Sequence, residues 1–136
     1  MAAIEAAPTP ARPRPLSPHL SVYRLTLTMV MSGLHRITGI AIYVGVLLLA
    51  WFLIATSMDA TAFSAASGFL NSIIGRLILL GFTWSLFHHM LGGIRHAIWD
   101  AGYGMDKGAR EWLAIATLAC GLALTIVVWA IGLAIY

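Results

Sequence analysis

The chain has 136 residues, of which 60% are hydrophobic and only 10% are charged, against about 25% charged in an ordinary soluble domain. That balance excludes a soluble globule and points to a single integral membrane domain. The net charge of +3 calls for no nucleic-acid partner, because the bases are placed as membrane topology places them. Cys120 is the only cysteine, so the chain holds no internal disulfide and cannot carry an iron–sulfur cluster, which needs about four thiolates. There is also no glycine-rich nucleotide fingerprint following a strand. Any flavin or cluster chemistry therefore belongs to partner chains.

Residues 1–15, "MAAIEAAPTPARPRP", are rich in alanine and proline, lack the apolar stretch of a signal peptide, and are expected to form a disordered inner tail. Residues 16–36 are mixed. Pro18 can open a helical turn and Tyr23 suits the headgroup layer, so this short segment is expected along the inner face before the chain turns into the membrane. The anchor domain proper is expected over 16–136, with three transmembrane helices at about 30–58, 72–98 and 112–136. Each contains a stretch free of charge (37–58, 77–94 and 112–136), and a bilayer crossing needs roughly 20 such residues. A small outer connection over 58–71 joins the first two spans, and an inner loop with three glycines over 100–110 joins the last two. The fold class is all-α.

The bases orient this bundle. Arg12, Arg14, Arg24 and Arg36 precede the first charge-free stretch, and Arg95, Lys107 and Arg110 surround the second loop, whereas the first loop has no base until Arg76. Bases gather on the inner side. The N-terminus is therefore expected inside and the C-terminus outside.

Two clusters on the first two spans carry candidate chemistry. Ser32, His35 and Arg36 in "SGLHR" fall at i, i+3, i+4 and share a helix face, so a hydroxyl, an imidazole and a guanidinium project together. Arg36 can hold an anionic group or a carbonyl, and it also serves as a plain positive-inside anchor. In "HHMLGGIRHAIWD" (88–100), His89, Gly93 and His96 follow i, i+4, i+7. His89 lies five residues before Ile94, roughly 7–8 Å inside the apolar zone at 1.5 Å per residue. An unsatisfied polar group in hydrocarbon is costly, so His89 needs a partner. A haem iron and a hydrogen bond to a neighbouring helix both satisfy it, and spacing alone leaves the two open. Gly92 and Gly93 remove bulk where a flat macrocycle would lie. His88 points about 100° away and reads as a packing or lipid-boundary residue, while Arg95, His96 and Asp100 read as interfacial groups that reach water. Gly33, Gly39, Gly45, Gly75 and Gly81 permit close helix approach.

Taken in order, "RPLSPHLSVYR" (14–24), "SGLHRITG" (32–39) and "HHMLGGIRHAIWD" (88–100) resemble the cytochrome b membrane-anchor subunit of succinate dehydrogenase, respiratory complex II. The likeness covers the inner segment and the first two spans; the third agrees only in being apolar. The resemblance implies one haem b held between this chain and a second membrane-anchor subunit that supplies the other axial histidine. It also implies a ubiquinone site near the inner surface, and an iron–sulfur subunit and a flavoprotein subunit docked on that face. It places the axial haem ligand four residues before the glycine of "GIRH", which here is Gly93, so the ligand is His89 rather than His88. It gives the quinone contact to Ser32 and Arg36, and the haem propionate to His35, with Arg36 able to share that task.

On this reading the chain catalyses nothing alone; it anchors a succinate:ubiquinone oxidoreductase in the lipid bilayer. Alternatives are the anchor of a fumarate reductase running in the opposite direction, a haemless anchor that still binds quinone, and a non-redox small transporter or scaffold. The missing targeting peptide favours a bacterial inner membrane over a mitochondrial one.

Overall fold

The computed structural model describes residues 23–135 together with Pro15 and His19. The expected disordered tail over 1–15 lies, but for Pro15, outside the described residues, as does most of the inner-face segment before Tyr23. Among the described residues every regular element is helical: α1 Leu27–Met58, α2 Ala60–Asn71, α3 Ile73–Asp100 and α4 Lys107–Ile135. Helices α1, α3 and α4 are long and apolar enough to cross a membrane. The protein is an all-α, multi-pass membrane protein.

Short polar residues set the helix ends. The Thr26 hydroxyl accepts from the Met29 amide at 3.4 Å and starts α1 a turn before the expected span. Asp59 ends α1 and caps α2, its Oδ1 accepting from the Ala62 amide at 2.8 Å. Ser72 then closes α2 and opens α3, with Oγ accepting from the Gly75 amide at 3.1 Å. A side-chain oxygen at such a position satisfies an otherwise orphaned amide. The connection expected over 58–71 is thus mostly helix, because two cap residues bracket it.

At the other end α3 stops in a left-handed turn. Gly102 has φ +83°, and the Gly102 and Tyr103 amides return to the carbonyls of Trp99 and Ile98. This six-residue closure favours glycine at its left-handed position. Asp106 caps α4 through the Ala109 amide at 2.9 Å. Helix α4 therefore begins before the expected span, carrying Lys107, Arg110 and Glu111 on its first turns.

Helix α3 is the central element, packed on both α4 and α1, which touch each other less. Its interior reverses the usual pattern. The buried apolar residues are Met31, Ala55, Ala66 and Ala114, while Thr38, Ser85, His88, Arg95, Thr117 and Thr125 are buried polar ones. Leucines and isoleucines mostly face outward. Lipid tails are as apolar as leucine, so burying a leucine gains little and small residues decide where helices meet. The threonines satisfy themselves: Thr117 donates to the Leu113 carbonyl at 2.7 Å and Thr125 to that of Gly121 at 2.8 Å. Gly45 lies against the Phe82 ring, and Gly121 against the backbone of His88. Gly33 and Gly81 face open space and make no close helix approach within this chain.

Candidate functional site

The expected clusters meet where α1 crosses α3. The His35 and His89 rings stack at 3.9 Å between centroids, 6° from parallel. Glycines allow it. A Cβ on Gly92 would meet His35 Nδ1 at 2.5 Å, and one on Gly39 would meet the His89 ring at 3.1 Å. The space at Gly92, expected to admit a macrocycle, is filled by His35. The space at Gly93 stays open, with nothing within 4 Å of an added Cβ.

His89 is held by its inner nitrogen. Nδ1 lies 3.0 Å from the His35 carbonyl oxygen; a carbonyl only accepts, so Nδ1 carries the proton and donates. Thr38 Oγ, 3.4 Å from the same nitrogen, itself donates to the carbonyls of Leu34 and His35 at 3.0 and 2.9 Å. In neutral imidazole this leaves Nε2 as an unprotonated lone pair. Nε2 has no partner among the described residues, and His89 is only partly buried. Metal-ligating histidines characteristically donate the other N–H to a carbonyl or carboxylate in this way. Among the described residues no three His, Cys, Asp or Glu side chains converge on one point, so an iron held here would take one bond from His89. The tethered imidazole and the open glycine one turn along fit a haem approaching this face.

His88 is placed quite differently. It is wholly buried against Gly121 of α4, its ring 5.3 Å from that of Trp84, and neither ring nitrogen has a partner. It cannot present a nitrogen outside the chain, and of the two roles expected for it packing, not a lipid boundary, fits this burial.

His96 extends the α1–α3 cluster, its centroid 5.5 Å from that of His35 and 5.2 Å from Trp99. Beside it opens a cavity of about 290 Å³ bordered by Ser32, Arg95, His96, Trp99 and Arg110. Ser32 thus opens onto a basic, partly aromatic recess. Arg36 is exposed and is not among the residues that border that recess.

The expectation that Arg95 reaches water is corrected. It is 3% exposed, with Nε and Nη1 unpartnered and its guanidinium carbon 5.3 Å from the Trp99 ring centroid. The cause is register. Arg95 lies seven residues after buried His88, on the same face of α3, and that face turns towards α4. Asp100, five residues after Arg95 and so about 140° round the helix, is exposed. Thr38 escaped the sequence reading, although its place three residues after His35 on the same face was the available signal.

Comparison with known proteins follows the same outline. Residues 10–128 match the family described as succinate dehydrogenase/fumarate reductase transmembrane subunit. Over 93 residues the chain is 46% identical to the succinate dehydrogenase cytochrome b556 subunit of Paracoccus denitrificans, covering 68% of this chain and 72% of that one. It is 37% identical over 116 residues to the protein of the same name from Rickettsia felis, covering 85% and 90%. The mitochondrial succinate dehydrogenase cytochrome b560 subunit of Sus scrofa is 39% identical over 94 residues, 68% of this chain and 56% of that one. With its three membrane-crossing helices and this match across most of its length, the chain belongs to the family of transmembrane subunits of succinate dehydrogenase and fumarate reductase.

Proposed function

We propose that this chain is the membrane anchor of a succinate:ubiquinone oxidoreductase, binding haem b together with a second anchor subunit and forming part of the ubiquinone site. The observation that carries the reading is His89: Nδ1 tied to the His35 carbonyl, Nε2 free, and open space at Gly93. The family covers both directions of the reaction; the similar proteins named above are succinate dehydrogenase subunits, which favours succinate as the electron source.

Bound on this face, haem b supplies a one-electron redox centre. His89 would hold the haem iron through Nε2, with the His35 carbonyl and Thr38 fixing its ring orientation and tautomer. His35 and exposed Arg36 supply donors for the propionates. Ser32 offers a hydroxyl to the recess that Arg95, His96 and Arg110 also border. Donors aimed at a quinone oxygen stabilise the negative charge that develops there during reduction. The partner anchor would supply the other histidine. A flavoprotein subunit oxidises succinate, and an iron–sulfur subunit docks on the face formed by the 101–106 turn. The bases at that end support an inner-side location for it, and the bacterial relatives support a bacterial inner membrane; residues 16–136 then form the anchor domain behind an N-terminal tail.

The test is deletion of the chain in its host. Succinate-dependent reduction of a soluble dye should leave the membranes for the soluble fraction, and quinone reduction should be lost until the chain is restored. Dye reduction that stays on the membrane, with quinone activity intact, contradicts the assignment.

A further inference from the structure

Arg95 is a charge without a partner. Its side chain is 3% exposed, Nε and Nη1 make no hydrogen bond, and the Trp99 ring at 5.3 Å offers a π face but no acceptor atom. Arg95 borders two cavities, and among the described residues no acid borders either. The smaller, of about 150 Å³ between α3 and α4, is apolar but for Cys120 and Thr117, and the Thr117 proton goes to the Leu113 carbonyl. The larger is the recess of about 290 Å³ onto which Ser32 opens. A guanidinium withdrawn from water with nothing to pair it is costly to keep, so an acceptor is expected to meet it in the assembled complex.

The recess limits what that acceptor is. Trp99 Nε1 on the same wall is also buried without a partner, so the unpaired groups here are all N–H donors. Trp99 and Met105 add apolar surface, and His96 and Arg110 add further basic groups. The walls suit a molecule with an apolar ring body and oxygens that only accept. The recess also lies at the edge of the apolar zone. Ser32 stands five residues before the charge-free stretch that starts at Ile37, and Arg95 directly follows the one that ends at Ile94. A lipid-soluble molecule therefore reaches it from the membrane. A quinone head group has these properties, and being neutral on entry it brings no charge to desolvate.

We infer that Arg95 is a substrate-binding residue of the quinone site, its guanidinium donating to a ring oxygen and stabilising the negative charge that the ring gains. This rests on the recess taking ubiquinone, as proposed above. One electron from the iron–sulfur subunit turns the quinone into a radical anion, and a second electron with two protons completes the quinol. A cation buried beside the ring acts on that charge with little screening, whereas exposed Arg36 acts through solvent. Arg95 thus adds to Ser32 a charged donor that is drawn from the second span.

The test compares wild type with Arg95→Lys, Arg95→Gln and Arg95→Met in the purified complex. It reads the KM for ubiquinone and the electron paramagnetic resonance signal of the quinone radical at a poised succinate/fumarate ratio. Wild type should show the radical. Arg95→Gln and Arg95→Met should raise the KM about tenfold, as loss of a charge-assisted hydrogen bond predicts, and abolish the radical; Arg95→Lys should keep part of both. Haem and subunit content should be unchanged, since the bundle loses no internal hydrogen bond. A wild type without the radical, or an Arg95→Gln complex with wild-type KM and radical, overturns the inference. So do Arg95→Gln and Arg95→Met complexes that lose haem or subunits in step with activity, because Arg95 is then a structural residue. Failure of the quinone reading shows differently: wild type then reduces no ubiquinone at all, and the role of Arg95 falls with it.

Discussion

At the residue scale, neighbouring histidines have opposite surroundings. His88 is sealed between α3 and α4 without a polar partner, whereas His89 is tethered at one nitrogen and free at the other. Replacing an unsatisfied buried polar group with an apolar one of similar size is neutral or stabilising. His88→Leu should therefore leave the thermal midpoint of the complex unchanged or raise it, read by a melting curve in detergent. Thr38 sits behind His89, and losing an outer partner typically weakens a metal site about 10–100-fold. Thr38→Val should lower haem occupancy when haem is limiting, measured as haem per protein, while the isosteric side chain keeps α1 folded. Ser32 offers one neutral hydrogen bond, worth about 1 kcal/mol. Ser32→Ala should raise the KM for ubiquinone about fivefold and leave succinate–dye reduction untouched; an unchanged KM removes Ser32 from the site.

At the element scale, the glycines of α3 divide by what they face. A side chain at Gly92 displaces His35 and pushes α1 from α3, whereas one at Gly93 meets nothing in this chain. Gly93→Leu should thus insert and assemble normally yet lose haem, while Gly92→Leu should impair both. Haem bound normally by a Gly93→Leu complex would remove the macrocycle from this face. The contrast shows where sequence reading stops. Periodicity places His89, Gly93 and His96 on one face, and charge-free runs locate all three spans. Whether Gly92 is an opening or a socket depends on where a ring from α1 falls, and α1 lies more than fifty residues away in sequence. Helix ends were missed for a different reason. Thr26, Asp59 and Asp106 act as caps through single hydrogen bonds, which leave no trace in a hydropathy pattern.

At the scale of the whole molecule, the chain is an apolar sleeve around a polar seam. Thr38, Ser85, His88, Arg95, Thr117 and Thr125 are buried, and large apolar side chains coat the exterior. Counting charges makes such a chain legible as a membrane protein. It does not reveal that Arg95, nominally one more positive-inside base, is withdrawn into the bundle. That depends on the pitch that carries His88 and Arg95 along one face towards α4. Small residues hold the three helices together; on the function proposed above, the α1–α3 face is the one that would meet the second anchor subunit.

The central claim is that His89, and not His88, binds iron. A dithionite-reduced minus oxidised absorption spectrum of the purified complex tests it, comparing wild type with His88→Leu and His89→Leu. The account predicts a b-type band in wild type and His88→Leu, and its loss or displacement in His89→Leu alone. A band that survives in His89→Leu, or is absent from wild type, contradicts it.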